Sequence, residues 1–183
     1  MRLFVAILLS QEMTDALCQT MQTLRQHTVA GRFSRRENLH LTLAFIGETN
    51  RVAQAKQALS SVQADPFSMQ LDGVGRFRRD GGDIVWAGLR KNKSLEQLAQ
   101  QVQQQLRQAG FVLQDRSFAA HLTLGREMVL EDGFDLRSFG KTVPAVSMQV
   151  NRVSLMKSER IQGKLTYTEI GFVGLNNDTD RKS

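Results

Sequence analysis

Two copies of the tetrapeptide His-Leu-Thr-Leu, at His40–Leu43 and His121–Leu124, carry two of the chain's three histidines. An unperturbed imidazole titrates at about pH 6.5, so it both accepts and donates protons near neutrality. A threonine hydroxyl adds a neutral hydrogen-bond donor. On a strand, residues i and i+2 face the same way, so His40 and Thr42 share a face, as do His121 and Thr123, while the leucines point behind. Two such strands side by side would set two imidazoles and two hydroxyls around one small anion. With 11 threonines among 183 residues, two such pairs among three histidines arise by chance in roughly one chain in a hundred, before the leucines are counted. The competing reading is two half-buried strands whose polar faces happen to match.

Arg126 follows Thr123 by three residues. On a straight strand it would face away, so a contact with the same anion requires a bend or bulge. Substrate contact and a structural ion pair both stay open for it. Phe4, Phe45, Phe77, Trp86 and Tyr167 are candidates for stacking on a base, with core packing the alternative for each. Arg32, Arg35, Arg36, Arg76, Arg78 and Arg79 fall in two expected loops that would either grip phosphates or lie on a solvated surface. His27 has no matching threonine and reads as a helix-end cation or surface residue. Cys18, the single cysteine, sits in a helical pattern and reads as a buried structural thiol. Neither a cysteine cluster nor a His-Glu-x-x-His helix is present, and no metal or cofactor is expected.

The elements that must position these groups follow from periodicity. Leu3–Leu9 reads as a strand covered on both faces, and residues 12–27 as a helix capped by Ser10. A basic loop, Arg32–Asn38, leads into a motif strand over 39–46, ended by Gly47. A helix spans about 52–63 and stops at Asp65-Pro66. Strands over 67–71 and 83–89 flank a Gly-rich hairpin turn. Residues 94–108 form a helix with Leu95, Leu98, Val102 and Leu106 in one stripe. The second motif strand covers about 119–126. A connecting segment with Phe134, Leu136 and Phe139 precedes two strands, over 148–158 and 164–175. Residues 176–183 read as a disordered polar tail. The order suggests a duplicated α+β unit, each half contributing one motif strand.

Composition is that of a globular protein, with 41% hydrophobic and 23% charged residues. Net charge is +6, which suits a polyanionic partner without proving one. Met1–Ser10 lacks a small-residue cleavage site and reads as a strand, not a signal peptide. No stretch reaches a membrane span. A cytoplasmic location and a monomer are expected.

The paired motifs, about eighty residues apart, resemble those of the 2H phosphoesterase superfamily, and in particular the bacterial RNA 2′,3′-cyclic phosphodiesterases, also described as 2′-5′ RNA ligases. Further points of likeness are Arg2–Ile7, Asn38-Leu39 before the first motif, and Ala44–Glu48 after it. Gly73–Phe77, Ile84–Leu89, Arg126 and the Ser158…Tyr167 pair continue the pattern, which covers about residues 1–175. The resemblance implies an α+β fold of two lobes related by pseudo-two-fold symmetry, with antiparallel sheets lining a central cleft and helices outside. It implies hydrolysis of RNA 2′,3′-cyclic phosphate ends to 2′-phosphates, without metal. His40 would be the proton donor to the leaving 3′ oxygen and His121 the proton acceptor that activates water. Thr42, Thr123 and Arg126 would hold the phosphate. The reverse reaction would be 2′-5′ ligation. Partners would be RNAs with cyclic phosphate ends, tRNA fragments among them. The other substrate readings are a small cyclic nucleotide or a 2′-5′ oligonucleotide, and a nucleotide- or RNA-binding module without turnover is the non-enzyme alternative. One departure stands out. Where the family often has an aromatic residue two positions before the late serine, this chain has Met156, which leaves base preference open.

Overall fold

The structure, a computed structural model, describes residues 1–115 and 117–176. The expected disordered tail therefore lies outside the described residues, except for Asn176. Nine strands and four α-helices are present among the described residues, joined by one turn of 3₁₀-helix at Arg36–Asn38. The elements run in the order β1 (Arg2–Leu8), α1 (Gln11–Arg25), β2 (Thr28–Phe33), β3 (His40–Glu48) and α2 (Val52–Ser60). Then come β4 (Phe67–Phe77), β5 (Asp83–Leu89), α3 (Lys93–Gln108), β6 (His121–Leu130), α4 (Leu136–Gly140), β7 (Ser147–Val150), β8 (Arg152–Ile161) and β9 (Lys164–Gly174).

The strands form two antiparallel sheets, ordered β3-β1-β8-β9 and β2-β6-β5-β4-β7. Without β2 the second reads β6-β5-β4-β7, position for position the same arrangement as the first. The connections match too: β1-α1 leads to motif strand β3, and β5-α3 leads to motif strand β6. The duplication expected from the motifs is thus written in the topology. Strand β2 is the one addition that breaks it.

Local chemistry explains the elements. Ser10 Oγ accepts the Met13 N–H at 3.2 Å and starts α1, and Asn92 Oδ1 accepts the Leu95 N–H at 3.1 Å to start α3. Each satisfies an N–H that the first helical turn leaves without a partner. The stripe Leu95, Leu98, Ala99, Val102 and Leu106 is buried, as are Met13, Ala16, Leu17, Met21 and Leu24 of α1. Apart from Leu24, which packs with Val85, Met128, Leu136 and Phe139, these faces join one core with Leu3, Val5 and Ile7 of β1, Leu41 and Leu43 of β3, and Leu122 and Leu124 of β6. The opposite face of β1 is also covered, since Phe4 and Ala6 form a separate cluster with Met156. That two-sided burial is why β1 reads as an unbroken apolar run.

Several expectations needed correction: β4 runs on to Phe77, past the expected end at residue 71, and the segment expected as a connection holds the short helix α4. Residues 28–33 form strand β2, where a helix end and a basic loop were expected. It is an edge strand with four of its six residues exposed, so no apolar alternation marks it. The single strand expected over 148–158 is two strands. β7 pairs with β4 and β8 with β1, the chain passing between sheets at Asn151, whose carbonyl accepts the Leu175 N–H at 2.7 Å. The alternation breaks there: Val150 and Val153, three apart, are both buried.

Candidate active site

The motif strands carry their side chains as the alternation predicts. Leu41, Leu43, Leu122 and Leu124 are all at most 2% exposed, and the histidines and threonines lie on the other face. In the first sheet His40 pairs with Leu8 and Thr42 with Ala6. In the second, His121 pairs with Gly88 and Thr123 with Trp86. β3 and β6 pack against each other, which brings the two motifs together across the junction of the sheets.

Both imidazoles are fixed in the same way. His40 Nδ1–H donates to the Asn38 carbonyl at 2.7 Å, and His121 Nδ1–H donates to the Ala119 carbonyl at 2.7 Å. A carbonyl only accepts, so Nδ1 carries the proton in each ring and Nε2 is the nitrogen left for chemistry. In the first lobe His40 Nε2 lies 2.8 Å from Thr42 Oγ1. With His40 neutral, the hydroxyl donates to it.

Burial is the main influence that holds the His40 pKa below the ordinary imidazole value, partly opposed by the Asn38 carbonyl. The positive charge of Arg126 lowers it further, as does His121 whenever its ring carries a second proton. Arg126 also acts on Tyr167, whose phenol is pushed up by burial and stays a neutral donor. Arg126 and His121 of the second lobe thus face His40 and Tyr167 of the first.

Arg126 reaches this face through a bulge. Val85 pairs with Gly125 but Trp86 with Thr123, so Leu124 is an extra residue. Leu124 and Gly125 both turn inward, so Arg126 takes the outward parity of the histidine and threonine, and a second shift, between Gly125 and Met128, restores the original alternation. Ser34, just past β2, holds the bulge: its N–H donates to the Leu124 carbonyl and its hydroxyl to the Thr123 carbonyl, both at 2.8 Å. The first lobe repeats the device. Val5 pairs with Ala44 and Ala6 with Thr42, skipping Leu43. The residue delivered there is Phe45, 59% exposed, with its ring centre 6.5 Å from that of Phe4. His-x-Thr-x-x therefore ends in an aromatic ring on one lobe and a cation on the other.

Rings back both histidines. His40 lies 4.9 Å from Phe4 and 5.1 Å from Tyr167, centre to centre. His121 lies 5.2 Å from Phe77 and 6.5 Å from Trp86. Phe4 and Met156 are buried beneath the first site, so Met156 supports Phe4 from the neighbouring strand. Most of the loop arginines have partners within the protein. Arg32 pairs with Glu127, Arg35 with Glu37, and Arg36 with Asp15. Arg76 and Arg78 each lie 3.6 Å from buried Asp83, while Arg79 lies over the Phe77 ring. Arg126 makes no ion pair among the described residues. His27 stands apart from the site, paired with Glu131 and stacked on Phe134. Cys18 is only partly buried, with its sulfur accepting from Arg36 at 3.6 Å.

The model of the 2′-5′ RNA ligase superfamily matches residues 13–162, which include both motifs and their bulges. The chain belongs to that superfamily. Its relatives include the RNA 2′,3′-cyclic phosphodiesterase of Archaeoglobus fulgidus, 36% identical over 69% of this chain and 72% of the relative. The Escherichia coli K12 protein of the same name is 32% identical over 92% of this chain and 93% of its own. Among solved structures, E. coli LigT in its apo form superposes with a TM-score of 0.79 at 28% identity, covering 96% of this chain and 98% of that one. LigT complexed with 3′-AMP gives 0.77 over the same coverage. The two-lobed, two-sheet α+β architecture is common to them.

Proposed function

We propose that this protein hydrolyses RNA 2′,3′-cyclic phosphate ends to 2′-phosphates by two-histidine acid–base catalysis. The observation that carries the reading is the duplicated construction of the site. Two imidazoles, each with Nδ1–H tied to a carbonyl two residues upstream, present Nε2 beside a threonine from packed strands. Binding alone has no use for two proton-transfer groups. Opening the cyclic diester needs a base to take a proton from water and an acid to protonate the departing oxygen. Each contributes typically 10²–10⁴-fold.

His121 Nε2 serves as the base on the attacking water, and His40 protonates the 3′ oxygen as its bond to phosphorus breaks. The Thr42 and Thr123 hydroxyls donate to the non-bridging oxygens, where charge gathers in the transition state. Arg126 adds a positive charge on the same side. When the phosphate enters, the Thr42 hydroxyl turns from His40 Nε2 to the phosphate oxygen. The incoming negative charge then offsets the repulsion from Arg126, so His40 takes up the proton it must deliver. No step requires a metal ion. With a 5′-hydroxyl in place of water as the nucleophile and the 3′ oxygen again leaving, the same groups join ends by a 2′-5′ bond, a minor reaction while water is abundant. The protein acts as a cytoplasmic monomer, its lobes together forming one catalytic domain.

The test is hydrolysis of a short RNA ending in a 2′,3′-cyclic phosphate, in EDTA, by wild type, His40→Ala and His121→Ala. The expected result is a 2′-phosphate product and a loss of at least about a hundredfold in each variant. Turnover that survives both substitutions, or that needs a metal, overturns the mechanism.

A further inference from the structure

Of the large apolar side chains exposed among the described residues, only two are aromatic, Phe45 and Phe172, each 59% exposed. Both lie on the face of the first sheet that carries His40 and Thr42. For Phe45 this follows from the bulge in β3. For Phe172 it follows from register: Thr42 pairs with Ala6, Ala6 with Ser154, and Ser154 with Phe172, one continuous row across the sheet. Directly paired residues share a face.

The surroundings of Phe172 are organised. The Arg152 guanidinium lies over its ring, 4.6 Å from the centre. Arg152 pairs with Glu169 at 3.3 Å, and the other Glu169 carboxylate oxygen accepts from Ser154 Oγ at 2.5 Å. Ser154 is fully buried. The arginine head is thus anchored through a carboxylate to the floor of the sheet, two strands from Thr42. A flat cation fixed on an exposed ring offers a stacking surface for a nucleobase. A row of four strands also puts Phe172 about 14 Å from Thr42 at the usual interstrand spacing, beyond the nucleotide whose phosphate reacts.

We infer that Phe172 and Arg152 form a stacking platform for a nucleobase upstream of the cyclic phosphate, making the protein select an RNA chain over a mononucleotide. The inference rests on the cyclic phosphodiesterase reading above. A terminal 2′,3′-cyclic phosphate leaves only the 5′ direction for the rest of the chain. The row from Thr42 to Phe172 leads away from the junction of the motif strands, the course we assign to that 5′ chain. Stacking tolerates any base, so the platform adds length preference without sequence preference.

The experiment compares kcat/KM for cytidine 2′,3′-cyclic phosphate with that for a trinucleotide ending in a 2′,3′-cyclic phosphate. Wild type is expected to favour the trinucleotide. Phe172→Ala should lower its kcat/KM about tenfold, the loss of one base–aromatic stack, chiefly through KM, and leave the mononucleotide unchanged. Phe172→Trp should restore the preference. An equal effect of Phe172→Ala on both substrates, or none on either, overturns the platform alone. Wild-type protein that hydrolyses neither substrate overturns the parent reading as well.

Discussion

Gly75 sits directly opposite Trp86 in the β4–β5 ladder, and replacing it with alanine tests how His121 is held. A Cβ at that position falls 2.3 Å from two carbons of the indole and 2.9 Å from a third. Carbon atoms in contact rest about 3.5–4.0 Å apart, so something must give by more than an ångström. The backbone of Gly75 is fixed by its ladder, which leaves the indole to move. That ring lies 5.4 Å from Phe77 and 6.5 Å from His121, centre to centre. Overpacking of this kind costs about 1–3 kcal/mol. For a chain of this length the melting temperature should fall by roughly 2–12 °C. Activity should fall further than stability explains, because a displacement of about 1 Å at a positioned group can cost up to about a hundredfold. Trp86 is the only tryptophan, so intrinsic fluorescence reports this ring alone. Its indole N–H is buried with no hydrogen-bond partner among the described residues, and a ring pushed toward water should emit to the red. A Gly75→Ala variant with wild-type melting, emission and kcat would refute the reasoning.

Other expectations are as direct. The proposed acid role of His40 requires that it be protonated, so kcat/KM should decline as pH rises through its lowered free-enzyme pKa. Arg126→Gln removes a repelling charge, and the proton should then be held to higher pH. The alkaline limb should move upward while kcat/KM falls, and a pH–rate profile with an unmoved limb would contradict the acid role of His40. Asp83→Asn leaves Arg76 and Arg78 facing each other without the carboxylate they share and weakens its hold on the Arg79 N–H. Urea denaturation should register a loss of about 1–3 kcal/mol, and an unchanged midpoint would show the cluster to be idle. Ser10→Ala removes the cap of α1 and should cost about 0.5–2 kcal/mol by the same measurement, with kcat retained.

The placement of each histidine beside its threonine was legible because it depends on short-range alternation. His40 and Thr42, and likewise His121 and Thr123, needed only the period of a strand to share a face, with Leu41 and Leu122 on the inward side, whereas the meeting of the two motifs depends on the packing of β3 against β6. Arg126 was ambiguous for a physical reason: its side is decided by the bulge at Leu124, and a bulge leaves no mark in the local pattern beyond Leu124-Gly125. Only the pairing with β5 reveals it. β2 escaped because an exposed edge strand has no buried face to impose a pattern, so Ser34, which holds the bulge, had no signal at all. Phe172 escaped for a related reason. Its place beside Thr42 is set by three strand pairings between segments far apart in sequence, and no window of residues contains that information. The expected length of the strand over 148–158 failed at one residue, Asn151, where apolar content continues while its parity changes.

The route of the chain between the sheets has a consequence for how the protein comes into being. The sheet bearing His121 takes its last strand from residues 147–150, whereas the sheet bearing His40 receives β8 and β9 only from residues 152–174. A growing chain therefore has every strand of one half-site while the other still lacks two of its four. β1 and β3 must wait, through the synthesis of everything between, for β8 to cover the free edge of β1. Phe4 meets Met156 and Tyr167 only then, so the backing of His40 is among the last features completed. A nascent chain stopped short of β8 would carry both histidines and a well-formed second lobe, yet leave His40 without the Tyr167 ring and Phe4 without Met156, so the first half-site would await the last two strands.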